Sequence, residues 1–205
     1  MSHFRNFDEL VSHGSMRARR TALACLDAAL DAADTYEGTR RVVALEDTRL
    51  RVGEVRFDLG KVGQIYVVGA GKGSFPIARA LDEVLGPRIA RGVVAIKEPP
   101  PIRLSHIRVI TAGHPVPDIR SLEAGREVEA IAAQVKPDDL VFACMTGGCS
   151  ALLVLPVEGV TLEDKIALNC LLLRTGARIG EMNAVRKHVS QVKGGGLVKL
   201  FQPAT

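Results

Sequence analysis

Short apolar runs alternate along the chain with stretches whose apolar residues recur at helical spacing. Leu23, Leu26 and Leu30 stand at i, i+3 and i+7 within residues 16–34, with Asp27 and Asp31 beside that stripe. This spacing predicts an amphipathic helix. Gly38 is expected to break it within residues 36–39. Residues 50–59 alternate only in part and read as a strand or an irregular β segment, closed by Gly60. Residues 64–68 form an apolar run that predicts a buried strand ending at Gly69. Ser74 then opens a helix that should end at Gly86, because a glycine just past the last turn is a common helix stop. Residues 92–96 predict a second buried strand, and 97–101 a loop, since consecutive prolines cannot donate to a sheet.

Residues 106–111 predict a third strand and 139–145 a fourth, with a helix over 121–135 between them. Residues 161–176 read as a helix capped by Thr161, with Asp164 in capping-box position. A further helical segment over 181–193 should stop at Gly194, Gly195 and Gly196, and residues 197–205 show no closing element. Alternating helices and continuous apolar strands predict an α/β fold: a three-layer, Rossmann-like parallel sheet with helices on both faces. Residues 1–60 form a helical arm and lead-in, and 61–205 the sheet domain. Ligands bind such sheets at the carboxyl ends of the strands. Three loops fall there and should converge on one rim: GAGKGS (69–74), AGHPVPD (112–118) and TGGCS (146–150).

Composition narrows the function classes. The 205 residues suit one large domain, or a domain with an arm. Aromatics make up 4% and Trp is absent, which argues against a stacking platform for single-stranded nucleic acid. The net charge of +4 is not gathered into long runs, so a small anionic substrate is expected and a nucleic-acid partner is not. Cys25, Cys144, Cys149 and Cys170 are widely spaced, outside any zinc pattern, and are expected to be reduced. With a polar start no signal peptide is expected, and no apolar run approaches the ~20 residues of a membrane span. No membrane partner and a cytoplasmic location are therefore expected.

Candidate chemistry gathers in the three loops and in one polar run. Gly69, Gly71 and Gly73 surround Lys72, and Ser74 starts the helix; glycines admit a ligand to the backbone and helix N–H groups attract anions. A Walker A loop is excluded, because Gly73 follows Lys72 and Tyr66 stands where the first glycine belongs. The dinucleotide fingerprint is incomplete: Ser74 takes the third glycine position, and Lys97 follows the next strand. Thr146, Gly147, Gly148 and Ser150 form a second backbone nest suited to phosphate. Cys149 or Ser150 as a nucleophile finds no paired base, and the GxSxG elbow is absent. His114 is either a general base or a loop-holding residue, with Asp118 nearby. Asn183, Arg186 and Lys187 share one helical face, which Ser190 and Lys193 continue; this is either a solvated basic helix or a polyanion clamp. Together these groups suit a phosphorylated ligand and phosphoryl transfer, which depends on positioning and cations.

The blocks VVGAGKGSFPIARAL, TAGHPVPDIRSLEAG, TGGCSALLVLPVEGVTLEDK and TGARIGEMNAVRKHVSQVKGGGL resemble, in order, the signature blocks of the glycerate 2-kinase family, whose C-terminal part is the MOFRL domain. The resemblance implies ATP-dependent phosphorylation of D-glycerate at its 2-hydroxyl, with Mg²⁺ or another divalent cation. It also implies a Rossmann-like N-terminal domain facing a smaller α/β domain. Lys72 matches the family's loop lysine and Arg186 lies in its N-x-V-R-K-H block; both are expected to be catalytic. Gly71, Gly73, Ser74, His114, Gly147, Gly148, Ser150, Asn183, Lys187 and Lys193 are expected to bind glycerate or ATP, and no metal ligand is assigned. Thr146 replaces a serine, Cys149 a glycine and Gly196 an arginine of the family pattern. The resemblance implies that family chains run on into the MOFRL domain, and residues 1–205 are expected to correspond to the part before it. A fragment or a truncated relative is expected, with a homodimer left open. A hydroxypyruvate reductase using NAD(P)H, or a non-catalytic binding module, are the rival readings.

Overall fold

The computed structural model describes residues 2–205. A four-stranded parallel sheet runs in the order β6-β5-β4-β7, with β4 Ile65–Ala70, β5 Ile89–Ile96, β6 Arg108–Thr111 and β7 Leu140–Met145. Helix α4 (Ser74–Leu85) covers one face, and α5 (Ile119–Ala132) covers the other. The expected three-layer arrangement is therefore present.

The apolar runs of the strands are continuous because alternate residues serve two cores. From β4, Ile65 and Val67 pack with Phe75, Ala78, Leu81 and Leu85 of α4. Tyr66, Val68 and Ala70 pack on the opposite face with Ala124, Val128 and Ile131 of α5. A side chain every second residue on each face is the strand period, and both faces are dry here. The chain builds β4, β5 and β6 outward and then returns to place β7 on the other side of β4. The switch in direction thus lies between β4 and β7, where the loops after both strands face one crevice.

The N-terminal region is more than a helical arm. After α1 (Phe7–Val11) and α2 (Met16–Ala32), a third helix, α3 (Thr35–Val42), runs through Gly38, the residue expected to break the helix. The break falls earlier, where the Asp34 side chain accepts the N–H groups of Tyr36 and Glu37 and starts a new helix. Residues 50–59 are not one strand. A three-stranded antiparallel meander, β1 (Val43–Glu46), β2 (Arg49–Val52) and β3 (Val55–Asp58), occupies this part, turning at Gly53 with φ +59°. Val43 and Leu50 are buried in the α4-side core, which ties the meander to the sheet domain.

Other boundaries also differ from expectation. Strand β4 runs on through Gly69 to Ala70. The one-turn helix α6 (Cys149–Leu152) follows β7, and α7 (Leu162–Arg174) carries the expected Thr161–Asp164 capping box. Helix α8 (Ile179–His188) ends five residues before Lys193, because Ser190 bridges to Pro156 and the Gln191 N–H bonds the Leu155 carbonyl at 2.9 Å. Ser190 and Lys193 therefore leave the helical face assigned to them. The end does carry an element, α9 (Gly196–Leu200), and Thr205 pairs beside β7 through Val141 N–H (2.9 Å) and Asp139 O (3.1 Å). Among the described residues no helix is long and apolar enough to cross a membrane.

Candidate functional site

The three loops at the strand ends do meet, and the first and third lock together. The Lys72 N–H donates to Gly147 O at 2.9 Å, and the Gly73 N–H to Thr146 Oγ1 at 3.0 Å. Gly71 N–H donates to Ala95 O at 3.0 Å, and Ser74 N–H to Gly71 O at 3.3 Å. The four amides expected to face an anion are thus bonded within the chain. Ser74 is fully buried and donates its hydroxyl to Cys144 O at 2.8 Å. These groups of Gly71, Gly73 and Ser74 therefore hold the loop in place. At Gly71 the small residue has a packing cause: with φ +140°, a Cβ would overlap Thr146 Oγ1.

What the first loop presents outward is the Lys72 side chain. It is exposed, and no carboxylate lies within ion-pair distance of it among the described residues. It lines a cavity of about 360 Å³ with Lys97, Glu98 and Pro99 to Pro101. Lys97 pairs with Glu98 at 3.3 Å.

Gly148 separates that cavity from a second one. It is left-handed, with φ +95°; a side chain there would start 3.2 Å from the His114 ring and 3.4 Å from Lys72 Cγ. The second cavity, about 230 Å³, is lined by His114, Gly148, Ser150, Lys165, Arg186 and Lys193 among others. A third, about 300 Å³, shares Ser150, Arg186 and Lys193 with it and adds Cys149, Asn183 and Lys187. Of the expected site residues, His114, Gly148, Ser150, Arg186 and Lys193 come together; Asn183 and Lys187 sit at the adjoining cavity. The N–H groups of Gly147 and Gly148 have no backbone partner among the described residues. Asp118 does not join them. Its carboxylate caps α5 in a box with Ser121 and bonds Arg120, which hold it below the usual range although burial alone would push it up.

The electrostatics of the second cavity are one-sided. Lys193 is pushed down to about 8, first by burial and then by the charges of Lys165 and Arg186. Lys165 is also lowered, by burial and then by Arg186. Sequence reasoning missed Lys165. It lies on α7 one turn before Asn169, which lines the same cavity; that i, i+4 pair of polar residues was the available signal. It also missed Thr146, which had been noted as part of a nest and not as the group joining the two loops. The Cys144 thiol is pushed up to about 12 by burial and stays protonated. Among the described residues, no three His, Cys, Asp or Glu side chains gather as metal ligands would.

The family model described as "Domain of unknown function (DUF4147)" matches residues 21–205. The chain is 38% identical over 188 residues to a protein named glycerate 2-kinase from Pyrococcus horikoshii, covering 92% of this chain and 42% of that one. It is 47% identical over 143 residues to a protein named putative hydroxypyruvate reductase from Agrobacterium vitis, covering 70% of this chain and 37% of that one. A crystal structure of a Pyrococcus horikoshii protein superposes with a TM-score of 0.82 at 38% identity, over 92% of this chain and 42% of that chain. The chain spans about two fifths of the length of these relatives.

Proposed function

The chain belongs to the DUF4147 family, and we propose that it supplies the phosphate-binding half of a glycerate kinase, which moves the γ-phosphoryl group of ATP to the 2-hydroxyl of D-glycerate. One observation carries this reading: the Lys72 side chain and the His114 ring flank Gly148, between a cavity lined by lysines and one lined by Lys165, Arg186 and Lys193. A donor on one side of Gly148 and an acceptor on the other would meet at Lys72. The glycerate hydroxyl oxygen attacks the γ-phosphorus while the bond to the β-phosphate oxygen breaks. Negative charge builds on that leaving oxygen, and Arg186 and Lys193 stand where it would be neutralised. Lys72 screens the transferring phosphoryl or orients the glycerate carboxylate. His114, whose ring lines the second cavity beside Gly148, would take the hydroxyl proton.

ATP fits the cationic lining through its phosphates. Mg²⁺ held directly by these residues does not, because the lining offers cations and no carboxylate. No step here runs through the metal.

The reductase name of one relative motivates the second reading. Against it, the third position of the dinucleotide turn is the buried Ser74, and β5 ends at Ile96 with Lys97 next. The deciding measurement replaces the matching segment of the longer Pyrococcus horikoshii relative with this chain. ADP release that depends on glycerate, with no oxidation of NADH by hydroxypyruvate, supports the kinase. NADH oxidation without ADP release would overturn it. Failure of the 205-residue chain to bind ATP while folded favours a non-catalytic module.

A further inference from the structure

Three cationic side chains reach one cavity from three separate segments: Lys165 from α7, Arg186 from α8, and Lys193 from the turn that follows. Among the described residues none of them has a carboxylate within ion-pair distance. Lys165 Nζ donates to Val189 O at 3.0 Å, and Lys193 Nζ to Leu153 O at 3.1 Å. An ammonium has three donors, so two on each lysine remain to be met. Arg186 Nε is buried and has no partner at all. Buried donors in folded proteins are nearly always bonded, and an orphan one points to a missing acceptor.

A solvated basic helix would look different. Its lysines would extend into water, as the exposed Lys187 does, and would not be carried inward by apolar neighbours. Here Lys165 and Lys193 are half-buried, and the apolar Leu168, Val154 and Val189 line the same cavity. Burial and mutual repulsion both act against charge in this cavity, which an anion would reverse.

We propose that Lys165, Arg186 and Lys193 form a built site for a chain of phosphates, with Lys165 as a binding residue of equal standing with the other two. The adjoining cavity shares Ser150, Arg186 and Lys193, so a linear triphosphate can run from one cavity into the other along the Arg186–Lys193 side. That this triphosphate belongs to a nucleotide rests on the kinase reading; the anion site itself does not.

The test is titration calorimetry of the 205-residue chain with inorganic tripolyphosphate and, separately, with metal-free ATP. The wild-type chain is expected to bind both. Lys165→Met should weaken tripolyphosphate binding at least tenfold, Lys165→Arg should keep it within about threefold, and the remote Lys61→Met should leave it unchanged. Far-UV circular dichroism and melting confirm that each variant is folded. Equal affinity in wild type and a folded Lys165→Met, or no tripolyphosphate binding by the wild type, overturns the site. Binding of tripolyphosphate that depends on Lys165, with no glycerate-dependent ADP release in the hybrid described above, keeps the site and removes the kinase reading.

Discussion

Ser74 and Thr146 lie 72 residues apart in sequence and meet hydroxyl to hydroxyl at 3.1 Å. Thr146 Oγ1 also accepts the Gly73 N–H at 3.0 Å, while Ser74 Oγ donates to Cys144 O. One threonine thus holds the first turn of α4 against the end of β7, and so fixes Lys72 relative to Gly148. Replacing Thr146 with valine keeps the shape and leaves the Gly73 N–H without its acceptor. The expected cost is about 1–3 kcal/mol in urea unfolding, with Thr146→Ser losing much less.

The two glycine loops should answer alanine differently. At Gly71 a Cβ overlaps Thr146 Oγ1 and the backbone is at φ +140°, whereas at Gly147 a Cβ meets nothing within 4 Å. Gly71→Ala should lower the melting temperature sharply, with strain of roughly 1–3 kcal/mol before any clash is counted. Gly147→Ala should stay within about 0.5 kcal/mol. Equal effects in a melting experiment would show that the loops are not interlocked as described.

Lys72 is exposed and its side chain bonds nothing among the described residues, so its removal should not disturb the fold. In the hybrid with the longer relative, Lys72→Ala should reduce glycerate-dependent ADP release by at least 100-fold, about 2.7 kcal/mol of barrier. Unfolding stability should change by less than about 0.5 kcal/mol. A near-normal turnover number would remove Lys72 from the chemistry.

Lys193 links anion binding and stability to pH. Its pKa falls from the ordinary 10.5 to about 8 in the folded chain, through burial and then the charges of Lys165 and Arg186. Between those values the unfolded chain holds a proton that the folded one does not, so stability should rise with pH across that window. The gain is about 3 kcal/mol at most. Urea unfolding from pH 7.5 to 10.5 measures it, and Lys193→Met should flatten the slope. Tripolyphosphate binds the protonated form, so its affinity should fall as pH rises through about 8.

Local periodicity made the layers legible. The apolar runs in β4 and β5 marked strands buried on both faces, the run in β7 marked a strand of which Leu140 and Cys144 are buried, and Gly86 and the Thr161–Asp164 box marked helix ends. The meander was harder to read, because β1, β2 and β3 have four residues each and show no steady alternation. Helix α8 was read too long because Val189 to Lys193 have helical composition. A bridge to Pro156, remote in sequence, pulls them out of the helix.

By itself, the sequence determined which residues can form each strand, helix and turn, and that three loops lie at the carboxyl ends of the strands. Those are short-range properties, set by side-chain spacing and by glycine and proline geometry. Tertiary structure decided what the loops do. The amides around Lys72 looked open to an anion, yet the return of β7 beside β4 supplies Gly147 O and Thr146 Oγ1 to bond two of them. The same folding carries Lys165 to Arg186 and Lys193, a meeting that no local pattern encodes. It depends on the order in which distant segments pack, and on the energetic need of buried charges and donors for partners that the chain alone does not provide.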